Sequence, residues 1–89
     1  MMGYVYLVRN GDLYKIGIAN NLEKELKLIK PDEIIKTFQA DHPKSVEARL
    51  LRRYKSKRIP DSNYFRLSKE QLNDCKKQLG RAGGIPQTL

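Results

Sequence analysis

The sequence predicts an α+β fold, a small three-stranded antiparallel sheet flanked by three helices. Two runs rich in β-branched and aromatic residues meet at an Asn-Gly pair, and a third such run follows the first helix. Three further segments repeat apolar residues at helical spacing behind recognisable start signals. With 89 residues, 39% of them hydrophobic, the chain has material for one small core and not two. Residues 1–80 are read as that domain, and 81–89, with Gly83, Gly84 and Pro86, as a loosely packed C-terminal tail.

Residues 4–8 (YVYLV) and 13–18 (LYKIGI) are the first two strands, and Asn10-Gly11 signals a type I′ hairpin turn. A loop of those two residues pairs Leu7 with Tyr14, Tyr6 with Lys15, Val5 with Ile16 and Tyr4 with Gly17. Opposed residues share a face. Val5, Leu7, Tyr14 and Ile16 therefore make a core surface, and Tyr4, Tyr6, Lys15 and Gly17 a second, more polar one. Gly17 has no side chain and leaves room beside Tyr4 for a ligand or another backbone.

Asn20 followed by Glu23 opens the first helix, in which Leu22, Leu26 and Ile29 recur at i, i+4 and i+7 until Pro31 stops it. Residues 33–40 (EIIKTFQA) form the third strand, beside the hairpin. Pro43 suits the first turn of a second helix reaching about Lys57. Ser68 with Gln71, then Leu72, Cys75 and Leu79, marks a third helix ending at Gly80. Between these two lie a turn at 59–62 and a short 64–67 segment. There Tyr64 and Phe65 pack the third helix, with Tyr64 also suited to stack on a base of an open strand. His42, before Pro43, reads as a cap or surface residue.

Eighteen Lys and Arg stand against ten Asp and Glu, and a net charge of +8 on so little surface favours an anionic partner. Nucleic acid is preferred to an acidic membrane, because no Lys-rich helix is backed by a strong apolar face. No run approaches the ~20 apolar residues of a membrane span, and the first residues lack the pattern of a signal peptide, so a cytoplasmic location is expected. Cys75 alone cannot form an internal disulfide, and with His42 the only histidine no Cys/His zinc site can be assembled.

On the second helix, steps of 100° per residue place Leu50, Tyr54 and Leu51 at about 40°, 80° and 140° from Val46, an ordinary buried arc. Glu47 falls at about 100°, inside the arc, where a carboxylate costs free energy unless it is paired, hydrogen-bonded or bound to a cation. A Glu at the rim, bridged to a nearby Lys or Arg, is the plainer alternative. Lys44, Arg49, Arg52, Arg53 and Arg58 belong to the same helix and its exit, and such a stripe can hold phosphates through counterion release. A merely solvated charged face would look the same.

Five motifs in order carry a resemblance. YVY at 4–6, KIG at 15–17, the capped helix NNLEKEL, the acid in SVEARLLRRY and the closing NYFRL together resemble the GIY-YIG nuclease family, nearest to short phage and bacterial members with KIG in place of YIG. The resemblance covers about residues 3–80, and the ordered set is far more specific than any single motif.

What the resemblance implies is metal-assisted hydrolysis of a phosphodiester in DNA, with RNA as an open alternative. Glu47 matches the family's metal-binding Glu, and a lone carboxylate completed by water suits Mg²⁺ or Mn²⁺. Tyr6 matches the tyrosine that helps to activate the attacking water. Lys15 stands where many relatives have a second tyrosine and would orient a phosphate or move a proton; a solvent-facing lysine is the plainer alternative. Asn63 falls where relatives place a polar residue before the aromatic pair, to position a phosphate or water, or simply to make a turn. The family's catalytic Arg on the first helix is replaced by Glu25, eight residues after Gly17, which implies impaired cleavage unless Glu25 serves as a second metal ligand or an Arg such as Arg49, Arg58 or Arg66 enters the site from elsewhere.

The residues thus admit a metal-dependent endonuclease, or a non-catalytic nucleic-acid-binding module that kept the fold, or an adaptor whose basic face meets an acidic protein. Nothing in so short a chain reads a DNA sequence, so a targeting protein would be a separate chain.

Overall fold

In the computed structural model, which describes residues 2–81, β1 (Gly3–Asn10) pairs antiparallel with β2 (Leu13–Ala19). The turn is one residue later than the Asn-Gly signal implied. Asn10 ends the strand opposite Leu13, and Gly11 and Asp12 are the loop. Only Gly11 has a positive φ, 59°, which is the type II′ pattern rather than type I′. Asp32 receives the Gly11 N–H at 2.7 Å, and Arg9 donates to the Gly11 carbonyl, so this turn is held from the β3 side.

The register changes accordingly: Tyr6 faces Gly17 and not Lys15, Leu7 faces Ile16, and Val8 faces Lys15. Because each partner moves by two residues, no side chain changes face. Val5, Leu7 and Ile16 remain on the core side, while Tyr6, Lys15 and Gly17 remain together on the other.

β3 (Glu33–Ala40) pairs antiparallel with β1 as expected, with an irregularity between Leu7 and Val8 that leaves Ile35 unpaired. The sheet has four strands and not three. Its order is β3-β1-β2-β4, where β4 (Tyr64–Phe65) is a two-residue edge strand opposite Lys15 and Tyr14. Two residues are too few for any alternation, so 64–67 carried no strand signal.

α1 (Leu22–Ile29) is capped by Asn21 rather than Asn20, and the Asn21 side chain accepts from the Lys24 N–H at 3.0 Å. It ends at Lys30, which takes a left-handed conformation before Pro31, where the helical region is disfavoured. α2 (Pro43–Arg53) starts at Pro43 but stops short of Lys57; after Tyr54 the chain tightens into a 3₁₀ turn at Lys55–Lys57. Tyr54, at this junction, is buried, and its hydroxyl donates to Asp74 at 2.6 Å.

α3 (Lys69–Arg81) opens with the expected capping box, the Ser68 N–H donating to Gln71 Oε1 and the Gln71 N–H to Ser68 Oγ. It runs through Gly80 to Arg81 instead of ending at Gly80. The tail expected over 81–89 lies, apart from Arg81, outside the described residues.

The core unites Val5, Leu7 and Ile16 of the sheet with Val46, Leu50 and Tyr54 of α2, Cys75 and Leu79 of α3, and Phe65. Tyr6 and Val8 are equally buried but outside this cluster, on the opposite face. α1 meets that second face and buries none of its residues fully. A helix of eight residues is not stable by itself, so its place depends on its cap and on the few tertiary bonds it makes. Among the described residues no helix is long and apolar enough to cross a membrane.

Candidate functional site

β4 covers β2 only at Tyr14 and Lys15, so the outer edge of β2 beyond Ile16 has no strand beside it. Tyr6, Lys15, Glu25 and Tyr64 lie together on the face of the sheet opposite the core. The Tyr6 ring lies across Gly17, where a Cβ would overlap its Cζ and hydroxyl. The room that Gly17 leaves is therefore filled by Tyr6, and not kept free beside Tyr4. Tyr6 is 1% exposed, and its hydroxyl donates to Glu25 Oε2 at 2.7 Å.

Burial first, and the bond to Glu25 second, push the Tyr6 phenol well above its ordinary range, with the Glu47 charge acting in the same direction. At neutral pH Tyr6 keeps its proton. Its hydroxyl is bonded to Glu25 and fixes where that carboxylate lies. The register had placed Lys15 directly opposite Tyr6, whereas it lies on the diagonal. Its Nζ is 6.0 Å from the Tyr6 ring centroid and 5.6 Å from that of Tyr64. Tyr64 thus faces Lys15, while Phe65 enters the core with Cys75 and Leu79 of α3.

Glu47 is half-buried on α2 beside the core residues Val46 and Leu50, as its place in the apolar arc requires. Burial raises its carboxyl pKa above the ordinary value, and the charges of Arg58 and then Lys15 offset part of that rise. Among the described residues Glu47 makes no salt bridge, so the bridged rim Glu does not describe it. Asn63 reaches the site through its backbone, its carbonyl accepting the Ile16 N–H at 3.2 Å where β4 stops.

The basic residues divide. Arg49 and Arg52 are exposed on α2. Lys44 lies further along, in a groove of about 480 Å³ at the α2 N-terminus with Asn20, Asp41 and Ser45, and neither Glu47 nor Lys15 lines that groove. Arg53 is not a free phosphate ligand. Its Nε and Nη2 grip Asp74 of α3 at 2.7 and 3.2 Å, a fork that lowers the Asp74 carboxyl to about 2. No sequence signal joined these two residues, which are 21 positions apart. His42 occupies the N-cap position of α2 but its side chain makes no cap hydrogen bond.

Arg58 is exposed and held by its own loop. It follows the 3₁₀ turn, bridges to Phe65, and points its Nε at the Ser62 carbonyl at 2.6 Å. Tyr6, Glu25, Lys15 and Tyr64 thus form one cluster, and the charges of Arg58 and Lys15 act on Glu47. Such a set can hold a phosphate, accept a proton and carry a hard cation on oxygen.

This arrangement coincides with a family assignment. Residues 3–80 match the T5orf172 domain, a phage-associated domain related to the GIY-YIG/HNH-like nuclease superfamily. The chain belongs to this family. A T5orf172 domain points to a nuclease or nucleic-acid-related role, in keeping with the +8 charge. No curated protein and no solved structure matches this T5orf172 chain.

Proposed function

We propose that this T5orf172 domain is a GIY-YIG-type endonuclease that hydrolyses phosphodiester bonds of DNA with Mg²⁺ or Mn²⁺ at Glu47. The observation that carries this reading is Glu47 itself, a half-buried carboxylate with no salt-bridge partner among the described residues, acted on by the charges of Arg58 and Lys15.

The donor chemistry fits such a cation. Among the described residues no three His, Cys, Asp or Glu side chains stand together, so Glu47 would hold the ion with water completing its shell, as Mg²⁺ prefers. When bound, the cation supplies charge neutralisation at the phosphate. Lys15, held between the Tyr6 and Tyr64 rings, gives a phosphate oxygen a fixed ammonium. Glu25, turned by the Tyr6 hydroxyl, is the site's proton acceptor for the attacking water, with Tyr6 as its positioning residue. Exposed Arg49 and Arg52 extend the contact along the nucleic-acid backbone.

The test is nicking of supercoiled plasmid with Mg²⁺ or Mn²⁺ by the native chain and by Glu47→Ala. Metal-dependent nicking lost in Glu47→Ala supports the enzyme; no nicking under any condition rejects it. A second reading, a non-catalytic nucleic-acid-binding module, is favoured by one observation: an acid, Glu25, stands where the resemblance implies a phosphate-binding Arg. DNA affinity that does not weaken steeply with salt would sink both readings, and the same titration with RNA distinguishes the ligand.

A further inference from the structure

The phosphate-binding cation displaced from α1 has a substitute on another element. We propose that Arg58 supplies the guanidinium that contacts the scissile phosphate, making it a catalytic residue contributed by the 55–66 segment; this rests on the endonuclease reading above.

The segment is built to hold one arginine still. The Arg58 N–H donates to the Lys55 carbonyl at 3.3 Å, and the Arg58 backbone bridges to Phe65, a fully buried core residue. The loop that follows is laced to β4: Ile59 N–H to the Tyr64 carbonyl, Ser62 Oγ to the Ile59 carbonyl, and Tyr64 N–H to Ser62 Oγ. Asp61, at φ 60°, makes the turn. This closed loop presents the Ser62 carbonyl to Arg58 Nε.

That bond fixes the direction of the guanidinium without spending its charge. A carbonyl orients an arginine but does not neutralise it, whereas Arg9 and Arg53 are each paired with a carboxylate. Among the described residues Arg58 makes no salt bridge, so both terminal NH₂ groups remain for the two oxygens of a phosphate. Its place is also right. The bridge to Phe65 puts it one strand beyond β4, whose Tyr64 pairs with Lys15. Its charge, ahead of that of Lys15, offsets the effect of burial on the Glu47 carboxyl.

An oriented, unneutralised cation beside the metal-binding carboxylate is what charge stabilisation of a phosphoryl transition state needs, since no reorganisation is left to be done. Glu25 is then free of the arginine's task and available as a base.

The experiment compares nicking rate and DNA affinity, the latter by anisotropy in EDTA, for the native chain, Arg58→Ala, Arg58→Lys, Glu25→Arg and Lys77→Ala. Lys77→Ala removes one positive charge from an exposed position of α3. The expected result is a kcat loss of about 100-fold or more in Arg58→Ala, with a small loss of affinity, no recovery in Arg58→Lys, and no such kcat loss in Lys77→Ala. If the native chain nicks through Glu47 but Arg58→Ala slows it no more than Lys77→Ala does, the Arg58 assignment is wrong and the endonuclease reading stands. If only Glu25→Arg nicks, Arg58 does not replace the missing cation. If neither nicks, the reading fails and takes the assignment with it. Circular dichroism of Arg58→Ala separates unfolding from loss of chemistry: an Arg58→Ala chain that is unfolded leaves Arg58→Lys as the deciding variant, and full activity there overturns the proposal.

Discussion

The Tyr6 hydroxyl donates to Glu25 Oε2 at 2.7 Å and joins the sheet to a helix that buries none of its own residues fully. Removing the hydroxyl therefore acts on α1 more than on the core. Tyr6→Phe should cost about 1.5–3 kcal/mol, the range for a hydrogen bond to a charged group. Urea unfolding measures this, and hydrogen exchange should show the loss concentrated in α1. Equal protection of α1 in both proteins would mean that the bond does not anchor the helix.

Gly17 lies under the Tyr6 ring so closely that a Cβ would meet both Cζ and the hydroxyl. Gly17→Ala should destabilise by about 1–3 kcal/mol through overpacking. With Tyr6→Leu, which clears that space, the two costs should fall short of additive by at least ~0.5 kcal/mol in a double-mutant cycle. Strict additivity would show that the glycine is needed for its backbone and not for the ring.

The Arg53 fork on Asp74 predicts a split between stability and binding. The Asp74 carboxyl is lowered from 3.8 to about 2, first by Arg53 and next by the Tyr54 hydroxyl. A lowered carboxyl adds stability that is complete above pH 3.8 and is lost as pH falls toward 2. Asp74→Asn should flatten the acid limb of stability in that window. Arg53→Ala should lower the melting temperature while weakening DNA affinity less than Arg49→Ala or Arg52→Ala; the reverse order would return Arg53 to the binding face.

At high pH the signs reverse. Burial pushes the Cys75 thiol from 9.0 up to about 12, and burial followed by the Asp74 bond raises the Tyr54 phenol above 10.0. Acids whose pKa is raised by folding contribute stability that is whole below the unfolded value and declines as pH climbs past it. Stability should therefore fall from about pH 9 upward, with Tyr54→Phe reducing the decline above 10. Iodoacetamide should label Cys75 only as fast as the chain opens; rapid labelling of the native protein would contradict its burial.

Periodic features were legible in the sequence because their signals are local. The hairpin, the start of α2 at Pro43 and the Ser68–Gln71 box each lie within a few residues. The turn slipped by one because Asn10-Gly11 and Gly11-Asp12 both satisfy a two-residue loop, and only the Asp32 contact from 21 positions away favours the second. Glu47 in the apolar arc was visible from spacing alone. The long-range partners were not: Tyr6 meets Glu25 across 19 positions and Arg53 meets Asp74 across 21, distances that no periodicity encodes. Arg58 was one of three arginines, with Arg49 and Arg66, that the sequence offered in place of the missing one, and nothing in the sequence chose among them, since the loop that orients Arg58 depends on hydrogen bonds and not on a pattern.

Glu47 offers the last prediction, and it needs no turnover. Burial raises its carboxyl pKa, so the ionised form costs stability: the contribution is whole below the ordinary 4.5 and is lost as pH rises through the folded value. Glu47→Gln should thus stabilise the metal-free domain at pH 7, and the gain should vanish in mild acid. A cation bound at Glu47 reverses this order. With Mn²⁺ at ten times its dissociation constant, the native domain should gain about 1.4 kcal/mol by mass action, and Glu47→Gln should gain almost nothing. A Mn²⁺-induced rise in melting temperature that is the same in both proteins would place the ion elsewhere, while Glu47→Gln that is less stable than the native chain without metal would mean that Glu47 already has a partner within the protein.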